Sequence, residues 1–548
     1  MASGPTPDPV FSRRSLVPAV VIGVLFAVPF VGLWTNPGPP MEEGFMLVFP
    51  ERLLDGDLPN RDFLHLYGPG SLWVLAGLFL MFGTRLWVQR LVGIAQILGL
   101  VAGVFAVLRP WGRWVATTGA AISLLLIVTP TGFTALAWVG AVALGLWAIH
   151  FALEALERDP ARAGRRLWAA GLLVGAALLY RLDLVVALGL SMGVVMWHLP
   201  APRRRQLLLA AVVGVSPYLI HLATAGPGNV IDGMLIEPVF DLRGGRSLPL
   251  PPSGDQFDGF LQRAWLLPNV RPPYPLPALT GPVQMQLWVA ALLLASLVLA
   301  VAGVRAARSG RVRLLVLAAF AVGLLPQALQ RADSTHLAWV SCVTFGLLPA
   351  AVADLIGDRR PRLRTVLAVG LVPVMLLIVA PHFTYRSYGE SVAQTFGMRR
   401  RSFEMRNGDR VFLYGRQDAA EHVNDLVQVV DGITEPGDSL FVGPTDLRKT
   451  PYSEAYLYYL LPDLVPATRY IEMDPGMANA AGSGLADELR AADVAVLSSI
   501  REDWAEPNDS LVDGPDEPNQ VLEDDFCLVK SYGEATSGRG LYEVWKRC

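Results

Sequence analysis

Six carboxylates crowd one short polar stretch: Glu42, Glu43, Glu51, Asp55, Asp57 and Asp62. A carboxylate within hydrogen-bond reach of a hydroxyl can take its proton as the oxygen attacks a carbon, so an adjacent pair such as Glu42 and Glu43 is a candidate general base. The same stretch continues Arg61-Asp62-Phe63 and His65-Leu66-Tyr67, which adds a second acid at Asp62 and polar rings at His65 and Tyr67. Two further clusters interrupt apolar runs, Tyr180-Arg181-Leu182-Asp183 and Arg331-Ala332-Asp333-Ser334-Thr335-His336. Charge at membrane depth is costly and marks function by default, and arginine is the side chain best suited to a phosphate. The competing readings are a solvated acidic loop, a turn-capping role for Asp62, local Arg–Asp pairs that brace two turns, and anchoring roles for His65 and Tyr67.

The elements that must position these groups are membrane helices. Of 548 residues 53% are hydrophobic and only 17% charged, against roughly 25% charged in ordinary soluble domains. The run from Leu16 to Trp34 follows Arg13 and Arg14, is long enough to span, and is followed by no small-residue cleavage site, so a first transmembrane helix is expected rather than a signal peptide. Further apolar runs cover 86–108, 115–129, 132–152, 167–179, 183–199, 206–223, 284–303, 314–328, 337–353 and 365–381, giving about eleven spans. The run Gly70–Phe82, about thirteen residues, is marginal for spanning and fits a re-entrant or interfacial helix; the charge rule decides, because a crossing here would turn nearly all later arginine clusters outward, so it is expected to lie at the interface. With that choice the clusters Arg109 with Arg113, Arg158 to Arg166, Arg203 to Arg205, Arg305 to Arg313 and Arg359 to Arg364 all fall on the cytoplasmic side, leaving Arg85 and Arg90 as outer exceptions. The outer face then holds residues 35–85, the Pro- and Gly-rich loop 224–283 and everything after His382.

The tail, 382–548, is polar, with strand-like runs Ser439–Val442 and Val494–Leu497, a helical Glu421–Gly432 and a closing pair of strands at Cys527–Tyr532 and Leu541–Trp545. It reads as a small extracytoplasmic α/β domain after a membrane part over 1–381. Gly443-Pro444-Thr445-Asp446-Leu447-Arg448 and Arg469-Tyr470-Ile471-Glu472-Met473-Asp474-Pro475-Gly476 read either as ordinary strand-to-helix loops or as a platform for a glycan acceptor. No Gly-x-Gly-x-x-Gly, no Gly-Lys-Ser/Thr phosphate loop and no His-Glu-x-x-His occurs, which argues against a nucleotide-dependent enzyme or pump. Three cysteines are too few for a cysteine-built metal site. Cys342 sits in an apolar run, while Cys527 and Cys548 are open to pairing in an oxidising compartment. The charge asymmetry reports topology and gives no sign of a nucleic-acid partner.

The order of motifs in residues 35–85 resembles a known family. Met41-Glu42-Glu43-Gly44-Phe45, the amphipathic stretch carrying Phe45, Val48, Phe49 and Leu53, Leu53-Leu54-Asp55-Gly56-Asp57-Leu58-Pro59, Arg61-Asp62-Phe63 and the Pro69-led apolar helix look like the first periplasmic loop of the GT-C superfamily. These are polytopic glycosyltransferases that use polyprenyl-phosphate sugars, among them protein O-mannosyltransferases and lipid A aminoarabinose transferases. The amphipathic helix, kinked by Pro50, is expected to turn Glu43, Glu51 and Asp55 to water. The resemblance implies that Glu42 or Glu43 is the general base, with Glu42 standing where the family commonly has Asp. It also implies that Asp62 is a second acid for sugar hydroxyls or an optional divalent cation, with Arg61 beside it as a substrate contact. No metal ligand set is implied.

The expectation is a bacterial plasma-membrane glycosyltransferase with a cytoplasmic N-terminus, moving one sugar from a polyprenyl-phosphate donor to an extracytoplasmic glycan, lipid or protein by inverting displacement. Arg181 or Arg331 would meet the lipid phosphate, and Asp183, Asp333, His336, His65 and Tyr67 would line the pocket. The rival readings are a glycolipid transporter or flippase, disfavoured by the lack of an internal repeat, and a non-catalytic envelope scaffold, which predicts that neither glutamate matters.

Overall fold

The structure, a computed structural model, describes residues 16–157, 160–248, 281–357, 361–379, 385–400, 402–451, 453–502, 506, 508–534 and 540–548. The expected outer loop 224–283 therefore lies partly outside the described residues. The first part of the described chain is helical: α1 (Leu16–Ala27) and α2 (Phe30–Thr35) lead to α3 (Pro40–Asp55) and α4 (Gly70–Phe82). The membrane part continues with α5 (Leu86–Leu108), α6 (Arg113–Thr131), α7 (Ala137–Glu157), α8 (Pro160–Tyr180), α9 (Val185–His198), α10 (Ala201–Val215) and α11 (Tyr218–Ala225). After the short α12 (Pro227–Ile231), a π-helical stretch and α13 (Leu242–Arg246) come α14 (Gly281–Arg308), α15 (Arg313–Gln330), α16 (Ser334–Ile356) and α17 (Pro361–Val379).

Eight helical segments among the described residues are long and apolar enough to cross a bilayer, with α1 and α2 together forming one of them and α10 and α11 another. The chain is a multi-pass membrane protein. α9, at 14 residues, is shorter than that measure requires, and α8 and α17 carry Arg165, Arg166, Arg362 and Arg364 near their starts. α4 keeps its expected bounds and is 13 residues long, too short for a hydrocarbon core of about 30 Å. Its C-terminal Leu80, Met81 and Phe82 are exposed, as a surface facing lipid requires. Apolar side chains on α5, α6, α7, α15 and α16 build one continuous interior. At the end of the bundle away from the C-terminal domain, Arg313 pairs with Glu157 on α7, and Arg311 pairs with Asp354 on α16.

Beyond the bundle, α18 (Ser387–Thr395) packs on α2, and a hairpin of β1 (Phe403–Asn407) and β2 (Arg410–Tyr414) leads into α19 (Gln417–Ile433). A five-stranded sheet follows, ordered β4-β3-β5-β7-β6, from β3 (Ser439–Pro444), β4 (Val465–Pro466), β5 (Val494–Ser498), β6 (Phe526–Tyr532) and β7 (Tyr542–Arg547). β3 runs parallel to β4 and β5, while β7 runs antiparallel to β5 and β6. The parallel centre explains the unbroken Val-Ala-Val-Leu of β5, buried at every position. Helices α20 (Tyr456–Leu460), α21 (Leu485–Ala491) and α22 (Glu517–Asp525) complete the domain. Cys527 and Cys548 form a disulfide, with Cα atoms 5.3 Å apart, so the open question of their pairing resolves to a bridge that ties β6 to the C-terminus.

The feature that matters most for the site is α3. Phe45 and Val48 are buried as the stripe predicted, yet the opposite face is buried too, because the helix lies between the bundle and the C-terminal domain. Phe45, Met46, Val48 and Phe49 share one hydrophobic core with Met405, Phe412, Tyr456 and Val442. Gly44 permits the close approach: a Cβ there would lie 2.7 Å from the backbone nitrogen of Tyr456 on α20. The expectation that Glu43, Glu51 and Asp55 all face water is thus corrected. Glu43 is fully buried, Glu51 pairs with Arg410 of β2 at 2.5 Å, and Asp55 alone is exposed. The helix continues through Pro50 to Asp55, and the αL residue Gly56 ends it, its N–H returning to the Leu53 and Arg52 carbonyls.

Candidate active site

The two adjacent glutamates have opposite environments. Glu43 accepts Nε and Nη2 of Arg90 at 2.8 Å each, and also accepts the backbone N–H of Gly38 at 3.1 Å. Arg90 donates in addition to the carbonyls of Trp34 and Asn36, so this pair pins the end of the first span to α5. A Cβ at Gly38 would run into the Glu43 carboxyl. Successive helical residues point about 100° apart, which turns Glu42 away from this lock. Glu42 is partly buried, and its carboxyl is raised above the usual glutamate range: burial and nearby Asp333 push it up, against a pull down from Arg501 and Arg246.

Those three neighbours come from separate parts of the chain, and further charges gather around them. Arg246, at the end of α13, pairs with Asp474 at 3.1 Å. Arg331, just after α15, contacts Asp333 at 3.3 Å, pairs with Glu506 and donates to the carbonyl of Arg246 at 3.2 Å. Asp333 caps α16 by accepting the N–H of His336, and its carboxylate meets Nδ1 of the same histidine at 2.8 Å. Burial would raise Asp333, but His336 and Arg331 outweigh it and hold the carboxyl down to about 2. Arg181, between α8 and α9, grips Asp183 in a two-point pair at 2.6 and 2.9 Å and lies 4.0 Å over the ring of Tyr67. Tyr67 interacts electrostatically with Arg181, Arg246, Glu472 and Asp474, Glu472 in turn with Glu42, and Asp474 with Arg331, so these groups form one network of buried charges around Glu42.

The remaining predicted residues take the following positions. Asp62 accepts the N–H of Leu58 at 2.7 Å and both Nε and Nη2 of Arg61, closing a turn in which Asn60 adopts φ 67°. These bonds hold its carboxylate below the usual range. Arg61 is exposed there. His65 is buried edge-on between Phe49 and Tyr67, and burial together with the charges of His221 and Arg181 lowers its imidazole to about 3, so it is neutral. Among the described residues no group of three or more His, Cys, Asp or Glu is placed to hold a metal ion.

Sequence reasoning did not single out Arg246, Glu454, Arg501 or Glu506, and it left Glu472 and Asp474 in a loop open to two readings. That loop follows β4 and turns inward over Glu42. Glu472 Oε1 and Asp474 Oδ2 are buried with no hydrogen-bond partner among the described residues. Burial, with Asp474 and Glu42 close by, raises the Glu472 carboxyl well above the ordinary glutamate range, so it holds its proton near neutrality. Arg501 pairs with Glu454 in the same wall. The signal available in the sequence was charge density: two acids within an otherwise apolar and Pro-Gly-ended loop. In the loop Gly443–Arg448, Thr445 and Leu447 are buried and Arg448 pairs with Asp446 at 2.9 Å.

No family model matches the sequence, and no curated protein matches it. Solved structures do. ArnT from Cupriavidus metallidurans bound to undecaprenyl phosphate superposes with a TM-score of 0.56 at 13% identity, over 97% of this chain and 98% of that one. The apo state of the same protein gives 0.54 at 13% identity with the same coverage. The oligosaccharyltransferase AglB from Archaeoglobus fulgidus, in complex with an inhibitory peptide and a dolichol-phosphate, gives 0.49 at 11% identity over 98% of this chain and 74% of that one. End-to-end superposition on ArnT at this identity speaks to architecture alone: this chain shares the fold of ArnT.

Proposed function

We propose that this chain is a membrane glycosyltransferase that moves one sugar from a polyprenyl phosphate to a hydroxyl of an extracytoplasmic glycan, lipid or protein, with Glu42 as the general base. The observation that carries the reading is the division of labour on α3: Glu43 is committed to Arg90, and Glu42 lies among the charges of Arg501, Arg246 and Asp333, with Glu472 linking it to Arg181. The fold supports the donor class, since the ArnT structure that it resembles is bound to undecaprenyl phosphate. The arginine-rich helix ends opposite the C-terminal domain support a cytoplasmic N-terminus and an extracytoplasmic domain in a bacterial plasma membrane.

In this mechanism the acceptor oxygen attacks the anomeric carbon while its proton passes to the Glu42 carboxylate. The bond from that carbon to the phosphate oxygen breaks on the opposite face, and the lipid phosphate leaves with the electron pair, so configuration inverts. Arginine donors stabilise the charge that develops on the phosphate. Protonated Glu472 can donate to a sugar or acceptor hydroxyl while Asp474 accepts. Glu42 then returns its proton to water.

The test uses purified full-length protein with a panel of labelled polyprenyl-phosphate sugars and envelope acceptors. Glu42→Gln should reduce turnover by about 10²- to 10⁴-fold, and Arg331→Ala should weaken donor binding. Wild-type turnover in Glu42→Gln would overturn the base assignment. Movement of intact lipid-linked sugar across vesicles without donor consumption would overturn the transferase reading.

A further inference from the structure

A second cleft, of about 560 Å³, opens on the other side of the Glu43–Arg90 pair, between the end of α2, the start of α5 and the β1–β2 hairpin. Its lining includes Trp34, Arg85, Trp87, Arg90, Arg399 and Arg400, with the carboxylates of Glu404 and Asp409 on the hairpin side. Arginine on the outer side of a membrane protein runs against the usual charge bias, and each such arginine needs an account. Arg90 is accounted for by Glu43 and two carbonyls. Arg85 reaches exposed Asp409 at 2.5 Å. The contacts of the other two are long: Arg399 to Glu390 at 3.5 Å, and Arg400 to the Ser402 carbonyl at 3.4 Å. A guanidinium has five N–H donors; both side chains are exposed on the cleft's lining, Arg400 also lying 5.5 Å over the ring of Phe403.

The cleft also lies at membrane level. α18 sits against the first span: Tyr388 donates to the carbonyl of Leu25 at 2.8 Å, and Thr395 Oγ1 accepts the N–H of Gly32 at 2.8 Å. Immediately after it, Phe396 and Met398 are 65% and 76% exposed, too apolar for open water beside two arginines yet suited to acyl chains. Trp87, 40% exposed, and Phe82, 53% exposed, offer an apolar wall from the α4–α5 side. Apolar residues below and guanidinium groups above match one amphiphile.

We infer that this cleft binds the phosphate headgroup of an anionic glycerophospholipid, with Arg399, Arg400 and Arg85 on the phosphate and Trp87, Phe396 and Met398 against its chains. The site is separate from the chamber around Glu42, since Glu43 and Arg90 stand between them, and it does not depend on the transferase reading. Its role is to seat the C-terminal domain on the bilayer through the β1–β2 hairpin.

The experiment is delipidated full-length protein in detergent, titrated with phosphatidylglycerol or phosphatidylcholine and read by native mass spectrometry, with inorganic phosphate as a competitor. A basic side chain near an anionic lipid surface changes affinity by about fivefold, so Arg399→Gln/Arg400→Gln should weaken phosphatidylglycerol by about 25-fold and leave phosphatidylcholine unchanged. Arg308→Gln, at the opposite end of the bundle, should change neither. Equal phosphatidylglycerol binding by the double variant overturns the proposal, as does displacement by millimolar inorganic phosphate, which would make a soluble anion the occupant.

Discussion

Neutralising Glu43 and Arg90 separately and together measures whether Glu43 holds structure or does chemistry. Their side chains are 0% and 2% exposed, so neither charge has water to fall back on. Arg90→Met removes all four donor contacts and strands a buried carboxylate, a loss of about 3–5 kcal/mol for a broken buried pair. Glu43→Gln keeps one acceptor for Arg90 but turns an amide N–H₂ toward the second guanidinium N–H. The Arg90 guanidinium is left buried without its counter-charge, again a loss of about 3–5 kcal/mol. The double variant has no stranded charge, so it should be more stable than the sum of the single losses by about 1–3 kcal/mol. Chemical unfolding of the detergent-solubilised protein gives the cycle, and turnover at saturating donor gives the companion readout. Glu43→Gln should keep a pH profile of wild-type shape, with activity falling only as the folded fraction falls. Single variants within about 0.5 kcal/mol of wild type, strict additivity, or a lost acid limb in Glu43→Gln would refute the reasoning.

Three other outcomes follow from the same geometry. Because the Glu42 carboxyl is raised and a base must be deprotonated, kcat/KM should climb as pH rises through a value above 4.5, and Arg501→Gln, which removes a positive neighbour, should move that limb higher. Glu472 is raised in the folded state, so its contribution to stability is complete below the unfolded glutamate pKa and is lost as pH rises through the folded value; Glu472→Gln should flatten the alkaline fall in thermal midpoint and keep more activity than Glu472→Ala. Replacing Cys527 and Cys548 by serine opens a link between residues 21 apart and should lower stability of the C-terminal domain by about 3 kcal/mol, read as earlier loss of amide-exchange protection in β6 and β7 against an unchanged bundle.

Long-period patterns were legible in the sequence, and contacts between distant segments were not. Continuous apolar runs located the bundle helices because lipid demands helical hydrogen bonding along the whole span. The length of Gly70–Phe82 was informative for the same reason. β5 was visible as a short β-branched run, and the closing pair β6–β7 placed the two cysteines side by side. The acidic pair before Gly44 drew attention to α3, but helical phase alone did not assign the two glutamates. That depended on Arg90, 47 residues away. Glu51 looked solvated because its partner, Arg410, lies 359 residues on. Glu472 and Asp474 shared the composition of any turn until β4 aimed their loop at the bundle.

The burial of α3 on both faces bears on how such a molecule can be divided. A helix that contributes Phe45, Met46 and Phe49 to the interior of the C-terminal domain makes residues 40–55 common property of two parts of the chain. A cut after Val379 would uncover that apolar face and remove Arg501, Glu472 and Asp474 from around Glu42, leaving a bundle that carries its carboxylate without the walls that set its proton affinity. Exchange of C-terminal domains between chains of this fold would therefore have to carry α3 along with them, since the seam between the parts runs through the glutamate pair.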